Sequence, residues 1–148
     1  MIIRDAHEND AHQLIELLTQ LNYNMDLITM KARIEAFQKD HQELMVIEEN
    51  KKIIAVIAFG CYELFRLPGC CCHIDALVVH HAHRNKGLGK KLIAIAEQYA
   101  TKQGAHTIEL ISANYRKETG THAFYDALGY KNHLSLDCAY FAKENLKK

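Results

Sequence analysis

The 148-residue chain has no tryptophan, a single proline and no net formal charge, its 18 Lys and Arg offsetting 18 Asp and Glu. That balance excludes a whole-protein electrostatic grip on nucleic acid or on an anionic membrane. No apolar run approaches the roughly 20 residues needed to cross a bilayer. The opening MIIRDAHEND is charged by its fourth position and lacks the apolar core of a secretion signal. A soluble, cytoplasmic protein without nucleic-acid or membrane partners is expected. The five cysteines are odd in number, and Cys70, Cys71 and Cys72 are adjacent. A disulfide framework spaces its cysteines apart, so reduced thiols are expected. Zinc ligands fall about two to four residues apart with a second pair elsewhere. Neither CCCHID nor the spaced pair His81 and His83 completes such a set, so no metal is predicted.

What is present suits one domain over residues 1–148, long enough to bury a core. Residues 2–4 read as a first strand. Asp10, three residues before Gln13, has the spacing of a capping box. Leu14, Leu17, Leu18 and Leu21 then follow at helical intervals, predicting a helix over 10–21. A second helix is expected over 29–39, with Met30, Ile34 and Phe37 on one face. ELMVIEENKKIIAVIAFGCYEL reads as two strands joined at 49–51, where Gly60 marks a bulge or a close backbone contact. CCCHIDALVV, residues 70–79, is another strand.

The strongest helix follows, with Leu88, Leu92, Ile95, Ala96 and Tyr99 on one face and Gly104 closing it. Residues 106–112 read as a strand and 121–130 as a short helix ended by Gly129. HLSLDCAYFAKE supplies one or two closing strands. The order β-α-α-β-β-β-α-β-α-β(-β) predicts an α/β (α+β) fold, a mixed sheet with helices on both faces.

HHAHRNKGLGKKL, residues 80–92, joins the strand IDALVV to that strongest helix. A helix start exposes about four N–H groups and a partial positive charge. Gly87 and Gly89 allow close backbone approach, and Arg84, Lys86, Lys90 and Lys91 surround the turn. These are the parts of an anion nest, and a diphosphate suits it. The stretch is neither a Walker loop nor a dinucleotide fingerprint, because Leu92 stands where the latter needs its third glycine.

The R-x-x-G-x-G of Arg84 to Gly89, LVV upstream, ELISAN on the next strand and HAFYDALGY beyond occur in one order. In this the sequence resembles the GNAT superfamily of acetyl-CoA-dependent N-acetyltransferases. The resemblance implies a mostly antiparallel sheet of six to seven strands and direct acetyl transfer from acetyl-CoA to a primary amine of a small molecule or protein. It implies that Arg84, Asn85, Lys86, Gly87, Leu88, Gly89 and Lys90 hold the diphosphate. Leu77, Val78 and Val79 would lie along the pantetheine arm, Asn114 would hydrogen-bond it, and Phe124 would pack near the cofactor or core. Tyr125 matches the proton donor to the departing thiolate.

An alkylamine of pKa about 10.4 is mostly protonated near neutral pH, so a base is useful. Asp75 is the candidate, with His73, read as sharing its face, and Glu109 as rivals. Many relatives place the acid immediately before LVV, where this chain has Ala76. That departure leaves a second reading, a catalytically weak acyl-CoA-binding sensor of the same fold. The segment between Asn114 and His122 is longer than usual. It borders the acceptor side together with residues 22–29 and the Cys70–Cys72 run. A homodimer is compatible with the family.

Overall fold

The computed structural model describes residues 1–132, and the closing strands expected beyond them lie outside the described residues. The chain forms two compact units, Met1–Ile111 and a second beginning at Ser112. Among the described residues the sheet has five strands, against the six to seven expected. They are β1 (Ile2–Asp5), β2 (Glu43–Glu49), β3 (Lys52–Glu63), β4 (Cys70–Val79) and β5 (Ala105–Leu110), in that spatial order. The first four pair antiparallel, and β5 joins β4 in parallel. No helix among the described residues is long and apolar enough to cross a membrane.

The central strand β3 is buried from Ile53 to Gly60 because helices cover both of its faces. On one face Val46, Val56 and Val78, aligned across β2, β3 and β4, pack with Leu14 and Leu17 of α1 (Ala11–Thr19) and with Met30 and Ile34 of α2 (Leu27–Lys39). The other face meets α3 (Leu88–Lys102), where Phe59 touches Tyr99 edge-on with ring centroids 5.3 Å apart. The buried stripe of α3 is Leu88, Leu92, Ile93, Ala96 and Ala100, rotated slightly from the predicted face towards Ile93. Gly104, at φ 70°, ends that helix region in the left-handed conformation that glycine tolerates.

One local expectation changes. Asp10 does not cap α1 towards Gln13. Its buried carboxylate takes both ends of the Arg4 guanidinium at 2.8 Å and accepts the His7 N–H at 2.8 Å. A cation that can bind both oxygens outcompetes one amide. Gln13 instead accepts from the Ile53 N–H at 2.8 Å, tying α1 to the sheet. At Gly60 the close-contact reading holds, since an added Cβ would lie 2.9 Å from Gln42 Cγ. A bulge does occur nearby, but on β4: Ala58 faces Ala76 and Phe59 faces Ile74, leaving Asp75 unmatched.

Candidate active site

That bulge sits where the sheet divides. β5 pairs with β4 only from Cys70 to Ile74, ending at Leu110, so among the described residues no strand pairs with 75–79 on that side. The His80 N–H donates back to Ile54 O on β3 at 2.9 Å. Alternation along an antiparallel strand therefore turns the amides and carbonyls of Leu77 and Val79 away from β3, towards the open side. Arg84 Nε donates to Val79 O at 3.1 Å, consistent with that direction. Val78 is buried, and its backbone faces β3 by the same alternation.

Beyond β4 a short 3-10 turn, His81–His83, leads into the loop. Asn85 and Gly87 both adopt positive φ, 60° and 77°. The Gly87 geometry lets the chain bend tightly into α3 without the Cβ strain of another residue. Gly87 occupies the cap position, so no side chain caps this helix. The first backbone bond into α3 runs from Lys91 N–H to Gly87 O at 3.1 Å. Among the described residues the N–H groups of Asn85, Lys86, Gly87, Leu88, Gly89 and Lys90 have no protein acceptor. Leu88 is buried and anchors the turn, while Arg84, Asn85, Lys86, Gly87, Lys90 and Lys91 are exposed. No Asp or Glu occurs between Asp75 and Glu97. The loop is thus a row of unused donors among cations.

The α1 and α2 face of the sheet carries a second polar group near the division. His73 of β4 faces Gly60 on β3 and Glu109 on β5. Glu109 Oε1 lies 3.6 Å from His73 Nδ1 and accepts the Tyr62 hydroxyl at 2.8 Å. Hydrogen bonding to Cys71 first, and then to Glu109, holds the Tyr62 phenol well above its ordinary pKa, so it remains a donor. The bulge matters here: it breaks the alternation that sequence reading used to put Asp75 on the His73 face. Register instead puts His73 in phase with Ala76 and Val78. Asp75 is exposed and has no hydrogen bond or ion pair among the described residues.

Sequence reading missed Tyr62, although its place two residues after Gly60 puts it on the glycine's face. The three adjacent cysteines divide by the pleat. Cys71 accepts from Thr107 Oγ1 at 3.2 Å on the His73 face. Cys70 and Cys72 lie towards Cys61 on the α3 face, where burial, and then Cys72, push the Cys61 thiol up to about 12. Cys61, Cys70, Cys71 and Cys72 are free thiols, and Cys138 lies outside the described residues. No group of three or more metal-ligating side chains is present among the described residues.

In the second unit Asn114 opens a 3-10 turn, Asn114–Lys117, rather than ending a strand. Thr121–Ala127 forms α4. On it, the half-buried Phe124 and Tyr125 rings meet edge-on with centroids 5.1 Å apart, and Tyr125 meets Tyr130 at 5.9 Å. Burial raises the Tyr125 phenol above its ordinary pKa, with Arg116 pulling weakly the other way, so the phenol keeps its proton.

A sheet divided between two parallel strands, with a cationic and uncapped helix start at the open end, is the architecture of an acetyltransferase. The chain belongs to the Acetyltransferase (GNAT) family, which it matches over residues 11–130. It is 31% identical over 122 residues to the uncharacterized N-acetyltransferase YhdJ of Bacillus subtilis strain 168, covering 77% of this chain and 80% of that one. It is 28% identical over 137 residues to the uncharacterized N-acetyltransferase YhfO of the same strain, covering 88% and 90%. Among solved structures, glucosamine-6-phosphate N-acetyltransferase from Arabidopsis thaliana superposes with a TM-score of 0.78 at 25% identity, covering 99% of this chain and 98% of that one.

Proposed function

We propose that the protein transfers an acetyl group from acetyl-CoA to a primary amine by direct attack. The observation that carries this reading is the row of amides at residues 85–90 with no acceptor among the described residues, set among Arg84, Lys86, Lys90 and Lys91. Six free donors beside four cations suit a diphosphate, whose oxygens accept several hydrogen bonds at once. The outward backbone of Leu77 and Val79 suits a ligand that pairs like an added strand, and the pantetheine arm carries the amides to do so. The family resemblance adds Asn114 and Phe124 as cofactor-binding residues. Bound acetyl-CoA supplies the activated acetyl thioester.

The chain's own residues then have three tasks. Residues 84–90 hold and orient the phosphates. A base on the sheet, Asp75 or the His73 and Glu109 pair, removes a proton from the amine, which is mostly protonated near pH 7. Tyr125, kept protonated by burial, holds the proton that the departing sulfur takes up. The test is calorimetric titration of coenzyme A into the protein, followed by a free-thiol assay with acetyl-CoA and a panel of primary amines. Saturable heat and amine-dependent thiol release are expected, with release falling in Tyr125→Phe. Absence of heat overturns the reading. Binding without turnover on any amine, indifferent to Tyr125→Phe, replaces it with an acyl-CoA sensor, the alternative that Ala76 keeps open.

A further inference from the structure

We propose that His73 is the catalytic base of this acetyl transfer and that Glu109 and Tyr62 are its positioning residues, in place of Asp75. This rests on the acetyl-transfer reading and assigns its proton path. His73 and Glu109 form the next-to-last matched pair of β4 and β5, one residue before Ile74 and Leu110 end the pairing. They stand at the mouth of the opening, beside the freed backbone of residues 75–79.

The order of contacts gives the imidazole a direction. Tyr62 O–H donates to Glu109 Oε1 at 2.8 Å, and the same oxygen faces His73 Nδ1 at 3.6 Å. A carboxylate opposite Nδ1 favours the tautomer with its proton there, leaving the Nε2 lone pair free to accept. A base whose second nitrogen is oriented by a carboxylate, itself held by a third group, is the recurring form of an activated base. The His73 side chain is 32% exposed, so an amine can reach it. Asp75, by contrast, lies on the bulge, with no partner among the described residues to fix its direction.

The step balances without another reactant. The amine proton passes to His73 Nε2 and frees the nitrogen lone pair. That pair forms the N–C bond to the acetyl carbon as the C–S bond breaks, and the nitrogen then gives its second surplus proton to solvent, leaving the neutral amide. The sulfur takes a proton from the Tyr125 hydroxyl, and solvent returns the imidazole and the phenol to their starting states.

Two measurements decide it. Long-range nitrogen–proton NMR on 15N-labelled protein, with the His73 signals assigned through His73→Gln, reads the tautomer without cofactor. An Nδ1–H tautomer is expected, shifting towards Nε2–H in Glu109→Gln and to a smaller extent in Tyr62→Phe. Turnover of the acetyl-accepting amines at saturating acetyl-CoA is expected to fall in kcat by about 100-fold in His73→Gln. It should fall about 10-fold in Glu109→Gln and be partly restored in Glu109→Asp, with calorimetric coenzyme A affinity unchanged throughout. An Nε2–H tautomer in the wild type, or a His73→Gln protein that keeps its kcat, overturns the proposal. If wild-type protein fails to bind coenzyme A, the acetyl-transfer reading falls, and the tautomer still reports whether the relay exists.

Discussion

The starts of α2 and α3 solve the same problem in opposite ways. At α2, Asp26 accepts the Thr29 N–H at 2.7 Å, and a carboxylate meets the positive end of the helix. At α3 the cap is Gly87, no side chain among the described residues reaches the amides of residues 85–90, and four cations crowd the turn. Cations at a helix N-terminus are unfavourable, so α3 is less stable alone than a capped helix of the same length. An anion from outside would remove that penalty. One start is finished by the chain itself; the other has the form of a site that a ligand completes.

The sharpest way to break this contrast is to give α3 the cap that α2 has. Gly87→Asp adds a carboxylate among the amides and replaces a bound anion with a built-in one. The residue must also adopt φ near 77°, which costs about 1 kcal/mol outside glycine. Like-charge repulsion and lost donors are expected to weaken coenzyme A binding by roughly 4 kcal/mol, about 1,000-fold in Kd by calorimetry. Unchanged affinity would mean that the loop is only a bend.

A second, smaller effect belongs to the region where polar groups are fully partnered. Asp10 is buried and bound by Arg4, which holds its carboxyl below the ordinary carboxylate range; the His7 N–H adds to this. The unfolded chain then binds more protons than the folded one at acid pH, so stability rises with pH there. The contribution is complete above the unfolded carboxylate pKa of about 3.9 and is lost as pH falls through the lower folded value. Asp10→Ala, which leaves Arg4 with Glu48 at 2.8 Å as its remaining carboxylate, should cost about 2 kcal/mol near neutral pH and flatten the acid limb of a urea-denaturation series. Coenzyme A affinity should not change.

Much of this contrast could be read from residue order. Strand β4 was expected over the residues it occupies, because CCCHIDALVV is bounded by Pro68–Gly69 and the glycine turn. Helix α3 was legible from its apolar spacing, and its uncapped start from the absence of Ser, Thr, Asp or Asn at Gly87. The bulge at Asp75 was not legible, because it depends on which residue of β3 faces which residue of β4. For the same reason the Tyr62, Glu109 and His73 contacts were hidden: they come from three strands and need the register of all three. Asp10 misled because its spacing to Gln13 fits a cap, while its preferred partner, Arg4, comes from a different element.

The smallest expected effect tests the other half of the comparison. Asp26→Ala removes the side chain that caps α2 and leaves the Thr29 N–H to water. Because that start is exposed, water replaces most of what is lost, and Tm should fall by only a few degrees. Coenzyme A affinity should match the wild type, since α2 packs under β2 and the loop at Gly87 lies elsewhere in the fold. The informative result is the pairing of two outcomes measured on the same two proteins, by thermal denaturation and calorimetry. Removing a carboxylate from α2 should touch stability alone, and adding one to α3 should touch binding most. A Gly87→Asp protein that gained stability while keeping its affinity would mean that α3 merely lacks a cap.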